Sequence, residues 1–362
     1  MARSGADSGL VGFGFNQDQG CFWVATTSGF AVYNCEPFRQ MIRREFPEGG
    51  FSLAEMLFRC NILALVGGGP TPRFPPTKVV LWDDGGPGRP IGELAFRSRV
   101  LGVRLRRDRV CAVLERKVLV YAFSDLRLTQ AIETGPNPLG LAALCAAPGA
   151  AVLACPGPRR GQVRLESLDV RRTRLVDAHS GALAAIALTA SGALLATASA
   201  KGTLVRLFDV ATGAKVRELR RGSDRARIHA VAFSNEPNDA TRWVAATSDR
   251  GTAHVWTPGL RSHPISPSPP GSTPPSHAHA PSPLAALLSR RATESILAER
   301  SFAQLRGLSA ARAVPAFGRE PGRLLVLSAA GTLTVAAFDP EKGGTAQVVS
   351  CQPFWKGEAT RG

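Results

Sequence analysis

The sequence contains little that would support a disulfide-bonded or metal-binding protein. Its seven cysteines are scattered through 362 residues, and no two of them form a Cys-x-x-Cys pair. This spacing argues against a disulfide framework and against a zinc site. Most of the cysteines occur in apolar runs, which is typical of small buried side chains in a reducing compartment. We therefore expect no bound metal and no cofactor.

Long apolar runs and catalytic motifs are also missing. No uninterrupted apolar run approaches the roughly 20 residues that span a bilayer, and residues 1–10 lack the apolar core of a signal peptide. We find no Gly-x-Ser-x-Gly, His-Glu-x-x-His or Walker-type loop. The chain has only six histidines, three of them in a proline-rich segment. These absences predict a soluble protein that touches membranes peripherally and is not an enzyme.

Acidic residues are scarce relative to basic ones. The chain has 28 Asp and Glu against 44 Lys and Arg, which gives a formal net charge of +16. Such a chain attracts polyanions, namely nucleic acid, an acidic protein or an anionic membrane. Charge alone does not choose among these. The sequence contains no aromatic-basic stripe and no zinc spacing, so it lacks the features that would favour nucleic acid.

A recurring pattern accounts for most of the chain: a β-run, a tight turn that contains glycine, and a second β-run that ends near an aromatic residue or Asp. The clear copies lie at residues 21–33, 194–209, 243–256 and 324–335, and the weaker copies surround residues 79–83, 118–121 and 163–165. Seven units at an average spacing of roughly 50 residues indicate WD-type blades. We expect an all-β fold, a single seven-bladed WD40-type β-propeller over residues 1–362 and a monomer. The alternative is two separate β-sandwich domains.

One segment interrupts the sixth unit. Residues 257–283 are rich in Pro, Ser and His, a composition that predicts disorder. Residues 284–300 contain neither Pro nor Gly, and they predict a helix. Its apolar face would carry Leu284, Leu287, Leu288 and Ile296, which could lie in a membrane interface. The alternatives are a surface helix on the sixth blade or plain disorder.

Two adjacent arginines follow the fifth unit, in Leu219-Arg220-Arg221-Gly222. If they end a strand, their side chains point to opposite faces and enter two neighbouring recesses. The guanidinium fork suits phosphate oxygens. The candidate partners of Arg220 are His179, Ser199, Lys201 and Thr203. The candidate partners of Arg221 are Ser248, Thr252 and His254. The plainer interpretation is a solvated Arg-Arg pair, with His179 bonded inside its own blade.

Several longer motifs resemble one family. They lie at residues 15–22, 55–69, 81–84, 105–110, 137–141 and 201–209, and the most diagnostic is Leu219-Arg220-Arg221-Gly222. Over nearly its whole length the chain resembles the PROPPIN family of phosphoinositide-binding propellers, known in animals as WIPI proteins, and in particular the WD-repeat 45-like branch. Two departures stand out: Arg250 replaces a frequent His or Lys, and the insertion in blade six is unusually rich in proline.

The resemblance implies binding of phosphatidylinositol 3-phosphate and phosphatidylinositol 3,5-bisphosphate at two sites flanking the paired arginines. It also implies a blade-six loop that enters the membrane, and an adaptor role in autophagy at phagophore and endosomal or vacuolar membranes. Asn16 and Asp18 match positions that would contact an autophagy lipid-transfer protein, although a turn between strands explains them equally well. The rival function is a protein-only WD-repeat scaffold whose arginines bind an acidic partner.

Overall fold

The computed structural model describes residues 9–235, 241–258 and 298–355, and every regular element in these ranges is a β-strand. The strands form seven groups, numbered here in chain order. Group 1 comprises β1 (Leu10–Phe15), β2 (Cys21–Thr26), β3 (Gly29–Asn34) and β4 (Arg39–Glu45). Group 2 comprises β5 (Gly50–Met56), β6 (Ile62–Gly68), β7 (Lys78–Asp83) and β8 (Arg89–Ala95). Group 3 comprises β9 (Gly102–Arg106), β10 (Arg109–Val113), β11 (Lys117–Ala122) and β12 (Leu128–Glu133).

The remaining groups follow the same plan. Group 4 comprises β13 (Ala143–Leu144), β14 (Val152–Pro156), β15 (Gln162–Ser167) and β16 (Arg172–Asp177). Group 5 comprises β17 (Leu183–Leu188), β18 (Leu194–Ser199), β19 (Leu204–Asp209) and β20 (Lys215–Arg220), with β24 (Glu299–Arg300) added at its edge. Group 6 comprises β21 (Ile228–Phe233), β22 (Val244–Ser248), β23 (Thr252–Trp256) and β25 (Ala303–Arg306). Group 7 comprises β26 (Ala313–Phe317), β27 (Arg323–Ser328), β28 (Thr332–Asp339) and β29 (Gly343–Pro353).

Within each group the four strands pair antiparallel in sequence order, so each group is a small sheet. A short parallel ladder between β25 and β29 joins groups 6 and 7 into one eight-stranded sheet. The first strands of neighbouring groups contact one another, which places them innermost. The fourth strands are the most exposed, and alternate residues of β4 such as Met41 and Arg43 face solvent. The all-β prediction is therefore confirmed for the described residues.

The core consists of seven hydrophobic clusters in the described part of the chain, each shared by two consecutive groups. The cluster between groups 5 and 6, for example, combines Val205 and Leu219 with Val244 and Trp256. The seventh cluster joins the last group to the first. A four-stranded sheet has two apolar faces to cover, and stacking the groups in a closed cycle covers both.

The C-terminal end of the insertion differs in secondary structure from the prediction. Of the expected helix, Leu284, Leu287, Leu288 and Ile296 lie outside the described residues. Its expected last residues, Glu299 and Arg300, form the strand β24, which pairs parallel with β20. The helix prediction is wrong at this end because the exposed edge of β20 offers backbone partners that local sequence does not reveal.

The burial of the cysteines agrees with the expectation that most of them are small buried side chains. All seven cysteines are free; Cys60 and Cys351 are exposed, and the other five are buried. Within the described ranges, no helix has the length and apolar character needed to cross a membrane.

Candidate functional site

The paired arginines lie where β20 ends. Arg220 is the last residue of that strand and pairs with Leu204 of β19. Arg221 follows it, and the backbone N–H groups of Arg221 and Gly222 both donate to the carbonyl of Thr203, at 2.9 and 3.4 Å. This turn fixes the two arginines at one end of group 5.

The two faces of β20 point to different neighbours. One face carries Glu218, which forms an ion pair with Arg206 at 2.7 Å, and Arg206 in turn donates to the carbonyl of Ala178 in the direction of group 4. The opposite face carries Leu219, which packs in the cluster shared with group 6. Strand alternation puts Arg220 on the first face and directs Arg221 towards the second. We call the two regions the Arg220 recess and the Arg221 recess.

Three of the residues predicted for the Arg220 recess lie at the same end of group 5 as Arg220. Ser199 ends β18 and is buried, whereas Lys201 is exposed in the following turn. Thr203 is also buried, and its carbonyl accepts from the backbone N–H groups of Arg221 and Gly222. These residues surround the end of group 5 with hydroxyls and an ammonium group.

His179 has a partner inside the protein. Its Nε2 lies 3.0 Å from Oγ1 of Thr197, and that hydroxyl donates to the carbonyl of Arg206 at 3.4 Å. Burial, followed by the charge of Arg206, lowers the pKa of His179 to about 4. The imidazole is therefore neutral at pH 7, and its contact is the one that the plainer interpretation expects.

The Arg221 recess, between groups 5 and 6, brings Arg221 close to the residues predicted for it. Nε of Arg221 donates to the carbonyl of Gly202 at 2.6 Å, and its Nη2 donates to the carbonyl of Asp224. Burial and then the charge of Arg250 lower the pKa of Arg221. The cation is thus held partly out of water beside a second cation, an arrangement that favours a bound anion.

Group 6 supplies the other wall of this recess. Ser248 is buried at the end of β22, and Thr252 begins β23 half-buried. His254 is buried, and its ring stacks on Trp256 with the centroids 5.7 Å apart. Burial, followed by the charges of Arg221 and Arg306, lowers the pKa of His254 to about 4. The charge of Arg221 therefore reaches His254 across the two walls.

Sequence reasoning missed three residues of this wall. Arg306 pairs with Thr252 across the β23–β25 ladder, and Gln304 pairs with His254. Ser301 lies 3.3 Å from Nδ1 of His254. Their signal is hidden because the long insertion separates β25 from β23 in the sequence.

The two residues expected to contact a protein partner lie in the turn between β1 and β2. Asn16 is buried; its Oδ1 accepts from the N–H of Cys21 and its Nδ2 donates to the carbonyl of Phe58, both at 3.0 Å. The side chain of Asp18 is 34% exposed and forms a 2.6 Å ion pair with Arg59. Asn16 therefore shapes the turn, and only Asp18 presents its side chain at the surface.

Among the residues that the structure describes, no group of three or more His, Cys, Asp or Glu side chains is arranged to hold a metal ion. The site consists of arginines, hydroxyls and neutral imidazoles around the end of one sheet. Such groups donate hydrogen bonds to an oxyanion without needing a cofactor.

Comparisons with known proteins identify a family that the chain matches. The PROPPIN family model matches residues 9–353. The chain is similar to Autophagy-related protein 18e of Arabidopsis thaliana, at 38% identity over 341 residues, covering 94% of this chain and 86% of the relative. It is also similar to SVP1-like protein 2 of Pichia angusta, at 41% identity over 249 residues, covering 67% and 68% of the two chains.

Solved structures share the fold at lower sequence identity. Hsv2 of Kluyveromyces lactis is 22% identical, with a TM-score of 0.73, and the match covers 95% of this chain and 99% of that one. KlAtg21, solved in complex with the coiled coil of AgAtg16, is 21% identical with a TM-score of 0.75 and the same coverage.

Proposed function

Because the chain belongs to the PROPPIN family, we propose that it is a phosphoinositide effector that serves as an adaptor in autophagosome formation. It binds phosphatidylinositol 3-phosphate and phosphatidylinositol 3,5-bisphosphate at two sites on phagophore and endosomal or vacuolar membranes. It carries out no catalysis. Its framework is one seven-bladed propeller, an assignment supported by the seven strand groups and the closed cycle of seven clusters.

The observation that carries the proposal is the divergence of Arg220 and Arg221 from the end of β20. One arginine shares its face with Arg206 and Glu218, and the other lies beside Arg250 and His254. Each recess combines an arginine with hydroxyls, which suits a phosphorylated ring. A few charge-assisted hydrogen bonds of roughly 1.5–3 kcal/mol each give modest affinity, so the insertion is the second membrane contact.

The proposal extends to a protein partner. An autophagy lipid-transfer protein would contact the β1–β2 turn through the exposed carboxylate of Asp18, with Asn16 holding the turn in shape. The rival function, an acidic protein bound directly by the paired arginines, uses the same cations but requires no phosphoinositide.

The test is flotation with phosphatidylcholine vesicles that contain each phosphoinositide in turn, or phosphatidylserine at matched surface charge. We expect binding only to vesicles with a 3-phosphorylated lipid, and loss of binding in the double variant Arg220→Thr, Arg221→Thr. The matched control is Arg171→Asn with Arg172→Thr, which removes two adjacent arginines where β16 begins. Asparagine suits position 171 because its φ is 51°.

Two results would overturn the proposal. Binding that follows surface charge, whatever the lipid, would favour the acidic-partner function. An unfolded double variant would show that the arginines are structural, so circular dichroism and urea denaturation accompany the flotation. Arg221 loses two hydrogen bonds to carbonyls in this variant, and we expect a cost of about 1–2 kcal/mol, which a folded domain tolerates.

A further inference from the structure

A chain of hydrogen bonds runs along the β23–β25 ladder and ends on His254. Nε and Nη2 of Arg306 donate to Oε1 of Gln304, at 3.4 and 3.2 Å. Nε2 of Gln304 donates to Oγ of Ser301 at 2.7 Å. Oγ of Ser301 lies 3.3 Å from Nδ1 of His254. The chain therefore links an exposed cation to a buried imidazole.

The donors and acceptors of this chain favour one direction. Arginine offers only donors, so the amide of Gln304 must turn its oxygen to Arg306 and its NH₂ group to Ser301. The serine oxygen then accepts from Gln304, and among the described residues Nδ1 of His254 is the acceptor within reach of its hydroxyl proton. An Nδ1 that accepts a hydrogen bond carries no proton, so the single proton of the neutral ring resides on Nε2.

His179 in the other recess has the opposite arrangement. The hydroxyl of Thr197 donates to the carbonyl of Arg206, so its oxygen accepts from Nε2–H of His179. The ring proton of His179 is thus used inside group 5. His179 lies in the loop after β16 and His254 lies in β23, and of the two only His254 keeps a ring N–H that is not committed to this kind of internal bond.

We propose that Ser301, with Gln304 and Arg306 behind it, is a positioning residue that holds His254 in the Nε2–H tautomer so that the imidazole donates to a phosphoryl oxygen in the Arg221 recess. The inference rests on the proposed function for the ligand, but the tautomer itself is a property of the free protein. Ser301 acts through His254 and contacts no ligand.

The position of Ser301 places this chain of hydrogen bonds next to the insertion. Ser301 directly follows β24, the strand on which the insertion returns. The outgoing stem is held on the same edge, since Nε of Arg217 donates to the carbonyl of Pro258 at 3.2 Å. The two stems also meet, because Oγ1 of Thr257 donates to Oε1 of Glu299 at 3.4 Å. The insertion therefore leaves and returns beside the residue that orients His254.

The first experiment measures the tautomer without any ligand. In full-length protein with ¹⁵N-labelled histidine, long-range ¹H–¹⁵N spectra at pH 7 distinguish a protonated from an unprotonated ring nitrogen. We expect His254 to show protonated Nε2 in the wild type and in Ser301→Thr, and a mixture of both tautomers in Ser301→Ala. Gln304→Glu should favour protonated Nδ1, because a carboxylate accepts the serine proton and the serine must then accept from the ring.

The second experiment measures binding of inositol 1,3-bisphosphate, the soluble headgroup of phosphatidylinositol 3-phosphate, by calorimetry. The Arg220→Thr background isolates the Arg221 recess. We expect Ser301→Ala to weaken binding about three- to tenfold, the equivalent of one hydrogen bond. Ser301→Thr should keep the affinity within about twofold of the background, because one hydroxyl replaces another. Ser309→Ala, on the exposed loop after β25, is the matched control.

The outcomes separate the inference from the proposed function. A wild-type His254 with protonated Nδ1, or a tautomer that Ser301→Ala leaves unchanged, overturns the inference. So does equal headgroup affinity in Ser301→Ala and the background. The wild type could show the expected tautomer but bind no phosphoinositide. That result would uphold the chain of hydrogen bonds as a structural feature, and it would overturn both the ligand assignment and the role of the chain in binding.

Discussion

Arg300 lies directly opposite Arg220 in the two-residue parallel ladder that joins β24 to β20. The returning stem of the insertion thus places a second arginine at the edge of the Arg220 recess. Like charges opposite each other weaken strand pairing, and an anion bound between them would offset this repulsion. The insertion and the candidate lipid site are therefore neighbours in the same ladder.

We predict that Arg300→Gln weakens binding to vesicles containing phosphatidylinositol 3-phosphate about threefold, since one cation beside the recess is lost. Folding stability should change by less than about 0.5 kcal/mol, because Arg300 is exposed. Flotation and urea denaturation measure the two effects. The control is Arg89→Gln, which removes an exposed arginine from the outer strand of group 2. Equal loss of binding in both variants would mean that only net charge matters.

The divergence of the two arginines predicts two headgroups per chain. Calorimetry with a soluble headgroup should give a stoichiometry of two for the wild type and one for either single variant, Arg220→Thr or Arg221→Thr. The physical reason is that strand alternation separates the two side chains onto opposite faces of the sheet. A single site in the wild type, which neither variant changes, would contradict this prediction.

His254 predicts a loss of folding stability in acid. Its folded-state pKa is about 4, below the ordinary value of 6.5, so between these values the unfolded chain binds more protons than the folded chain. The contribution of His254 to folding stability is complete above about pH 6.5. It falls by up to about 3 kcal/mol as the pH falls towards 4.

Urea denaturation at pH 7 and pH 4.5 checks this expectation. Between the two pH values, the free energy of unfolding of His254→Gln should fall by about 2 kcal/mol less than that of the wild type. His179 titrates over a similar range and contributes to both proteins, so the difference between them isolates His254. An NMR titration of His254 with a midpoint near 6.5 would refute the prediction directly.

The apolar residues assigned to the insertion predict a separation of headgroup binding from membrane binding. Replacing Leu284, Leu287, Leu288 and Ile296 with serine should leave calorimetric headgroup binding intact. Vesicle binding should fall by an order of magnitude or more, because a single modest contact does not hold a protein on a membrane. Unchanged flotation would make the insertion a spacer between blade strands.

The sequence alone determined the features that depend on local pattern. Glycine turns between short β-runs indicated the strands, and the proline-rich composition located the insertion between β23 and β25. The adjacent arginines at a strand end predicted side chains on opposite faces, since alternation is a property of any strand. For Asn16 and Asp18, a turn between strands was one of two equal explanations, and a partner surface was the other.

Only the tertiary structure decided which groups meet across long sequence separations. The strand β24 exists because the edge of β20 was available for pairing, whereas the sequence of residues 284–300 predicted a helix that includes it. His179 lies in the loop after β16 and His254 lies in β23, and packing gave one a threonine partner and the other Ser301. Hydrogen-bond direction depends on the whole set of neighbours, so the partner of each imidazole was decided by contacts that no local pattern encodes.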